Sequence, residues 1–205
     1  MRTSRSLNIR DRGKDKSFLI REMPALSFEI WLMQAGAILS GKPEDLYATA
    51  DSLSRRGASA LFRTDYETLR PLLAALLDCC SLRENGRDIP LTSDDAVDHC
   101  IDDVRCLFLL RRASLELHLA FCAGGARRAL LLPRESAFRK AVDARTYARP
   151  ANVPAVAGAL VSQGMASILD LQTHYGFEDA LNMLELLNVR NYNQWAADDA
   201  AKRGR

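Results

Sequence analysis

The sequence predicts a mainly α-helical protein with at most a small β element, made of a helical N-terminal domain and a small all-helical C-terminal module. Through most of the chain, apolar residues recur at steps of three and four, which is the period of an amphipathic helix. Only residues 17–21 combine strand-forming residues with a clear alternation. The 205 residues are 48% hydrophobic and 26% charged, a composition typical of globular proteins.

The first 16 residues are basic and polar, and we expect them to form a flexible segment. They lack the apolar stretch of a secretory signal peptide. A strand follows at residues 17–21, with Phe18 and Ile20 on one face. Pro24 suits the first turn of a helix predicted over residues 25–39, whose apolar residues include Trp31.

The middle of the chain predicts shorter elements. Helices are indicated at residues 44–53, 58–62 and 65–77, and Pro71 within the last predicts a kink or a helix start near Arg70. Asn85-Gly86 is a dipeptide typical of tight hairpin turns. A small hairpin there could pair with the strand at residues 17–21.

The most regular helical pattern covers residues 93–122, which we expect to be the longest helix of the protein. Thr92 or Ser93 can cap its start, and acidic residues in its first turn favour the positive end of the helix dipole. At a rise of 1.5 Å per residue, such a helix spans roughly 45 Å. Because that exceeds the reach of a small core, we expect either that part of the helix binds a partner or that the helix bends. The repeating apolar residues are Val97, Ile101, Val104, Phe108, Leu115, Leu119 and Cys122.

A change in composition separates the two predicted modules. The N-terminal domain covers residues 17–125, and a basic linker with one marginal helix at 135–144 covers 126–151. The C-terminal module, 152–205, contains helices at 153–163, 167–175 and 177–189. None exceeds the ~12–15 residues that an isolated helix needs, so the three helices must pack together or on a partner.

The sequence does not predict an enzyme, a metal site or a cofactor. His99, Asp102, Asp103 and Cys106 share one helix face, but they lack the paired ligand spacing of a zinc site. Cys122 lies one turn after His118, where thiol and imidazole could meet, yet a helix C-terminus disfavours a thiolate. We interpret the cysteines as small apolar residues of a reducing cytoplasm, and no run approaches the ~18 apolar residues of a membrane span.

The basic linker leaves one alternative open, a small phage regulatory or nucleic-acid-binding protein. Arginines there are interleaved with Phe138 and Tyr147, as in some RNA-binding segments. No recognised nucleic-acid motif accompanies them, and the net charge of +2 gives no overall attraction to phosphates. A nucleic-acid partner is therefore not the main expectation.

Two stretches resemble a known protein family. The first stretch comprises residues 16–25 (Lys-Ser-Phe-Leu-Ile-Arg-Glu-Met-Pro-Ala), the helix that bears Trp31, and the acidic run 94–105 that leads to residues 115–118. This stretch resembles the N-terminal protein of tail assembly chaperone sets of long-tailed bacteriophages. Residues 152–195 resemble the companion C-terminal part, which such phages commonly fuse to the first by a translational frameshift. The resemblance covers about residues 14–122 and 152–195.

The resemblance implies a function in phage tail assembly. The N-terminal part would bind and solubilise the tape-measure protein in the host cytoplasm, and the C-terminal part would recruit tail-tube subunits. The chaperone would associate with itself along the tape measure and be absent from the mature virion. We expect partner contacts from large apolar groups on the long helix and the C-terminal helices, namely Phe108, Leu115, Leu119, Phe121, Tyr175, Phe177, Leu181, Leu184 and Trp195.

Overall fold

An antiparallel four-stranded sheet lies beside a set of helices in the computed structural model, which describes residues 2–57, 64–125, 130–143 and 150–203. Of these residues, 63% are helical and about 14% are in strands, so the fold is mixed α/β. The prediction of a mainly α protein with at most a small β element is therefore wrong. The strands, in spatial order, are β1 (Ser4–Asp11), β2 (Lys14–Arg21), β3 (Cys80–Glu84) and β4 (Arg87–Pro90).

Strand β1 accounts for much of this difference, because it lies in the segment expected to be flexible. Arg12 and Gly13, with φ of 44° and 86°, form a two-residue turn that joins β1 to β2. Positive φ at both positions matches the right-handed twist of the flanking strands. Leu7 lies opposite Phe18 in the register, so β1 turns its few apolar side chains towards the core. Residues 4–11 are thus ordered by pairing and burial despite their basic composition.

The predicted second hairpin is confirmed. Asn85 and Gly86, with φ of 50° and 76°, join β3 to β4. Leu82 on β3 lies opposite Phe18 on β2, so this hairpin extends the sheet that residues 17–21 begin.

Nine α-helices lie within the described residues. The predicted helix at 25–39 is confirmed, and the helix predicted at 65–77 begins after Asp65, whose side chain accepts a hydrogen bond from the backbone N–H of Thr68. That helix continues through Pro71, so it does not start near Arg70. The prediction at 58–62 lies outside the described residues. The helices are α1 (Ala25–Ser40), α2 (Leu46–Arg56), α3 (Tyr66–Asp78), α4 (Asp94–Cys100), α5 (Val104–His118), α6 (Glu135–Asp143), α7 (Ala155–Ser162), α8 (Ile168–Thr173) and α9 (Phe177–Arg203).

The single long helix predicted at 93–122 is replaced by α4, α5 and a short 3₁₀ segment, Ala120–Gly125. The break between α4 and α5 has a local cause. Asp103 is extended and caps α5 by accepting the backbone N–H of Arg105 at 2.9 Å. The backbone N–H of Asp102 donates instead to the side chain of Asp11 at 2.8 Å. The longest described helix is α9, with 27 residues.

One face of the sheet, its inner face, packs against α3 and α5 to form the first apolar cluster. The buried members of this cluster are Ile9, Phe18, Ile20, Leu77, Cys80, Leu82, Leu91, Cys100, Cys106, Leu110 and Ala113. The second cluster combines α1, α2 and α3 with the C-terminal helices α7, α8 and α9. In it, the ring of Phe28 on α1 contacts that of Phe177 on α9, with centroids 5.5 Å apart.

The second cluster contains residues from both parts of the chain. The segments 17–125 and 152–205 were predicted to be separate modules, but both contribute buried side chains to one core. The linker between them also has a docked part, since Phe138 on α6 contacts Tyr192 and Trp195 on α9 at 5.5 and 5.6 Å. The guanidinium of Arg134 lies 5.2 Å from the centre of the Trp195 ring. Within the described ranges, none of the helices has the length and hydropathy needed to cross a bilayer.

Candidate partner-binding groove

Most of the predicted partner-binding side chains are inside the protein. Leu115, Leu119, Phe121, Phe177 and Leu181 are buried in the core shared by the two halves of the chain. Tyr175, Leu184 and Trp195 are half-buried. The apolar period identified which face of each helix is covered, but a period does not distinguish a partner from the chain's own core. These five side chains belong to the core of the chain itself in this structure.

Phe108 is the exception, because 54% of its surface is exposed on α5. Val104, one turn earlier, is 67% exposed and was not among the predicted contacts. The opposite side of α5 is anchored in the core through Cys106 and Leu110. Helix α5 therefore presents an exposed apolar patch, Val104 and Phe108, on the side opposite its buried face.

A groove of about 370 Å³ lies beside this patch, between β1 and α5. Strand β1 forms one wall, and residues of α5 at steps of three and four, which share one face of that helix, form the other. It was missed because β1 was interpreted as a flexible segment. The lining residues are Arg5, Leu7, Asn8, Ile9 and Arg10 from β1 and Arg105, Leu109, Arg112, Ala113 and Glu116 from α5.

The groove is basic, with four arginines and one glutamate. At one end, Glu116 accepts a hydrogen bond from Arg112 at 2.8 Å and lies 3.8 Å from Arg5. At the other end, neither Arg10 nor Arg105 has a carboxylate partner among the described residues. The guanidinium groups of Arg10 and Arg105 are therefore available to a ligand carboxylate.

A buried charge network fixes the position of the groove. The Nζ of Lys16 lies 2.8 Å from the carboxylates of Asp11 and Asp102 and donates to the carbonyl oxygen of Cys100 at 2.9 Å. Burial raises the pKa of Asp11, but the hydrogen bonds from Lys16 and from the backbone of Asp102 outweigh it and lower that pKa below its usual value. The network ties the β1–β2 turn to the break between α4 and α5, and it thereby sets β1 alongside α5.

His118 holds the start of α1 in place. Its Nε2 accepts the backbone N–H of Met23 at 2.6 Å, and its Nδ1 donates to the carbonyl oxygen of Ser114 at 2.7 Å. The Sγ of Cys79 lies 3.9 Å from the same Nε2, and burial raises the pKa of this thiol to about 12. A thiol with that pKa is not a nucleophile near neutral pH. His118 is thus a structural residue, and both of its ring nitrogens are engaged by the backbone.

The residues considered for a metal site do not converge. The break before α5 separates His99 from Asp103 and Cys106, and Cys106 faces the core, where burial raises the pKa of its thiol to about 11. Within the described ranges, no group of three or more His, Cys, Asp or Glu side chains is placed to hold a metal ion. Comparison with known proteins adds no assignment, since no family profile, curated protein or solved structure matches the chain.

Proposed function

We propose that this chain is a tail assembly chaperone of a long-tailed bacteriophage. In this proposal it acts in the host cytoplasm, binds and solubilises the tape-measure protein, recruits tail-tube subunits, and is absent from the mature virion. The resemblance of residues 14–122 and 152–195 to that family supports the proposal. The observation that carries it is the apolar patch of Val104 and Phe108 on α5.

The patch suits a helical partner. Val104 and Phe108 are four residues apart and therefore lie one above the other on the helix surface. Two large apolar groups in that arrangement fit between the ridges of another apolar helix, as in other helix-docking interfaces. Tape-measure proteins consist of long apolar helices, so they offer such ridges repeatedly. Because α5 is held by its buried side, the patch is presented without a cost of ordering.

Recruitment of tube subunits is assigned to exposed apolar groups of the C-terminal helices. Leu169 on α8 and Leu186 on α9 are 64% and 63% exposed, and Ile168 adjoins Leu169. These replace the buried Phe177 and Leu181 as the candidate contacts. Large exposed apolar side chains on helices that are themselves well packed are typical of interaction surfaces.

Two double variants test the proposal separately. Val104→Asp with Phe108→Asp places charges in the α5 patch, and Leu169→Asp with Leu186→Asp places the same number of charges on the C-terminal surface. Each is co-expressed with the tape-measure protein encoded beside this chain, and the soluble fraction of that protein is measured. Each is also used to retain purified tube subunits on a resin. Circular dichroism is used to check that each variant remains folded.

We expect the α5 variant to lose most of the solubilisation and to keep tube binding, with the reverse for the C-terminal variant. Unchanged solubilisation by a folded α5 variant would refute the assignment of that patch. Unchanged tube retention by the C-terminal variant would refute the second surface. If no tape-measure protein is encoded beside this chain, the proposed function itself fails.

A further inference from the structure

We propose that the groove between β1 and α5 binds an extended, acidic peptide segment, which adds to the free edge of β1 as a fifth strand. This site is separate from the Val104 and Phe108 patch, and the inference does not rest on the tail-assembly proposal. Four features of the groove support it: an open backbone edge, an apolar floor, unpaired arginines at one end, and a lining that disfavours other occupants.

The outer edge of β1 is open. Among the strands of the described residues, the sheet order places β1 at one side, paired with β2 alone. Asp11 and Lys14 flank the two-residue turn, so their backbone groups are hydrogen-bonded to each other. From this pair, hydrogen-bonded and non-hydrogen-bonded residue pairs alternate along the hairpin. The backbone N–H and C=O groups of Ser4, Ser6, Asn8 and Arg10 consequently point away from β2. None of them bonds to another backbone group of the described chain.

Helix α5 forms the opposite wall, so the open edge faces a groove and not bulk solvent alone. A strand edge beside a helix is the geometry by which several peptide-binding domains add an extended ligand. Main-chain hydrogen bonds give such complexes their affinity, and alternate side chains enter the groove. Here Leu7 and Leu109 are half-buried on its floor, and Ile9 is buried beneath them. An apolar side chain of the added strand would rest on Leu7 and Leu109.

The distribution of charge identifies the ligand as acidic. Glu116 already compensates Arg5 and Arg112 at one end, which leaves Arg10 and Arg105 for the ligand at the other. Guanidinium groups bind carboxylates through paired hydrogen bonds, which adds direction as well as attraction. The segment therefore carries Asp or Glu where it passes Arg10 and Arg105 and neutral residues where it passes Glu116.

The residues that line the groove argue against two other occupants. Pairing of β1 with β1 of a second copy would bring the arginines of both grooves together, and like charges on adjacent strands are destabilising. Single-stranded nucleic acid needs aromatic side chains on which bases stack, and none of the residues that line the groove is aromatic.

A simpler role for the arginines would be to protect an edge strand from unwanted pairing. The experiment below distinguishes these outcomes.

The first measurement is a selection of random twelve-residue peptides displayed against the immobilised full-length chain. We expect retained peptides to be rich in Asp and Glu that alternate with apolar residues. Binding of a selected peptide is then measured by fluorescence anisotropy with Arg10→Glu/Arg105→Glu, and with Arg55→Glu/Arg87→Glu as a control of equal charge change outside the groove. We expect at least a tenfold loss of affinity with the first variant and less than a threefold change with the control.

The second measurement tests strand addition itself. Amide hydrogen exchange, followed by NMR, should slow at Ser6, Asn8 and Arg10 when the peptide binds. A peptide with N-methyl groups at alternate positions should bind at least tenfold more weakly, because it cannot complete the backbone hydrogen bonds. Val104→Ser/Phe108→Ser removes the apolar patch without adding charge beside the groove and should leave peptide binding unchanged, so failure of this site and failure of the chaperone proposal are distinguishable.

Several results would overturn the inference. If no peptide is retained, or if retained peptides show no acidic enrichment, the arginines only protect the edge. Binding without slower exchange at β1 would refute strand addition. Association of β1 edges between copies, detected as a dimer that Arg10→Glu alters, would assign the edge to self-pairing. Tighter binding of oligo-dT than of any selected peptide would assign the groove to nucleic acid.

Discussion

Glu29 on α1 accepts a hydrogen bond of 2.7 Å from the backbone N–H of Val156, the second residue of α7. Its other carboxylate oxygen accepts the N–H of Ala157 at 3.0 Å. Helix α7 follows Pro154 and has no side-chain cap of its own. A side chain from the N-terminal half of the chain therefore supplies the cap of a C-terminal helix, which joins the two halves by polar contacts as well as by their common core.

We expect Glu29→Ala to destabilise the protein strongly. It leaves two buried N–H groups without acceptors, and each unsatisfied group costs about 1–3 kcal/mol. Glu29→Gln retains one acceptor oxygen and should cost clearly less. The free energy of unfolding, measured in urea through tryptophan fluorescence, checks both. Equal losses for the two variants would show that the cap does not contribute as described.

A chain shortened to end at Gly125 should not fold. Removal of the C-terminal helices takes away seven buried members of the shared core, Val156, Ala157, Leu160, Leu171, Phe177, Ala180 and Leu181. A fully buried Leu or Phe contributes about 1.5–3 kcal/mol, so the total loss is comparable with the whole stability of about 5–15 kcal/mol. The emission of Trp31, then the sole tryptophan, should match that of the urea-unfolded protein.

A chain shortened to end at Arg190 is the matched control. It keeps Phe177, Ala180 and Leu181, the buried α9 residues of the shared core, and loses Tyr192 and Trp195, which contact α6. We expect this shorter variant to fold with cooperative thermal unfolding. If the chain ending at Gly125 folds equally well, the two halves are independent domains, as the sequence alone indicated.

The buried His118 should make stability depend on pH. Burial lowers the pKa of this imidazole, so the folded state binds a proton less readily than the unfolded chain, which does so near 6.5. Its contribution to stability is therefore present above pH 6.5 and is lost as the pH falls from 6.5 towards the folded pKa, at most about 1.4 kcal/mol per pH unit. Protonation would also break the hydrogen bond from Met23.

The experiment compares urea unfolding at pH 7.5, 6.5 and 5.5 with and without His118→Gln. Both proteins carry Glu29→Gln, because burial raises the pKa of Glu29 and that carboxyl changes stability in the opposite direction. We expect the decrease in stability towards pH 5.5 to be clearly smaller in the His118→Gln protein. The same pH dependence in both proteins would exclude His118 as its source.

Lys16→Met should be among the most damaging substitutions in the sheet. It leaves Asp11, whose side chain is fully buried, without its cation, and breaking a buried ion pair costs about 3–5 kcal/mol. Adding Asp11→Asn removes the uncompensated charge and should restore part of the stability. Urea unfolding checks the pair of variants. A cost below about 1 kcal/mol for Lys16→Met would mean that the network does not hold the hairpin to α4 and α5.

Local signals predicted many elements of this fold and few of its long-range relationships. Helix α1, the strand containing Phe18 and the turn at Asn85-Gly86 followed from period, proline and turn chemistry in short windows. Strand β1 was missed because its composition is that of a solvated segment, although the alternation of Leu7 and Ile9 was a usable signal. Its order comes from pairing with β2 and from burial against α5, which no short window contains.

The break at Asp102 and Asp103 was missed for a related reason. An apolar period runs through it without interruption, and the partners that stop the helix, Asp11 and Lys16, are far away in the sequence. The predicted partner contacts also depend on residues that are distant in the sequence. Leu115 and Phe177 were correctly identified as members of apolar faces, but what covers each face is decided by the other half of the chain.

The contact between Phe28 and Phe177 has a consequence for synthesis. The ribosome adds about 5–20 residues per second, and some 150 residues separate these two rings, so roughly 8–30 s pass before Phe28 can be covered. During that interval Trp31 and Leu32 on the nascent α1 also lack part of the core that surrounds them in the folded protein. The growing chain must therefore carry an open apolar helix through most of its own translation. Rapid expression at high temperature should consequently favour its aggregation on the ribosome.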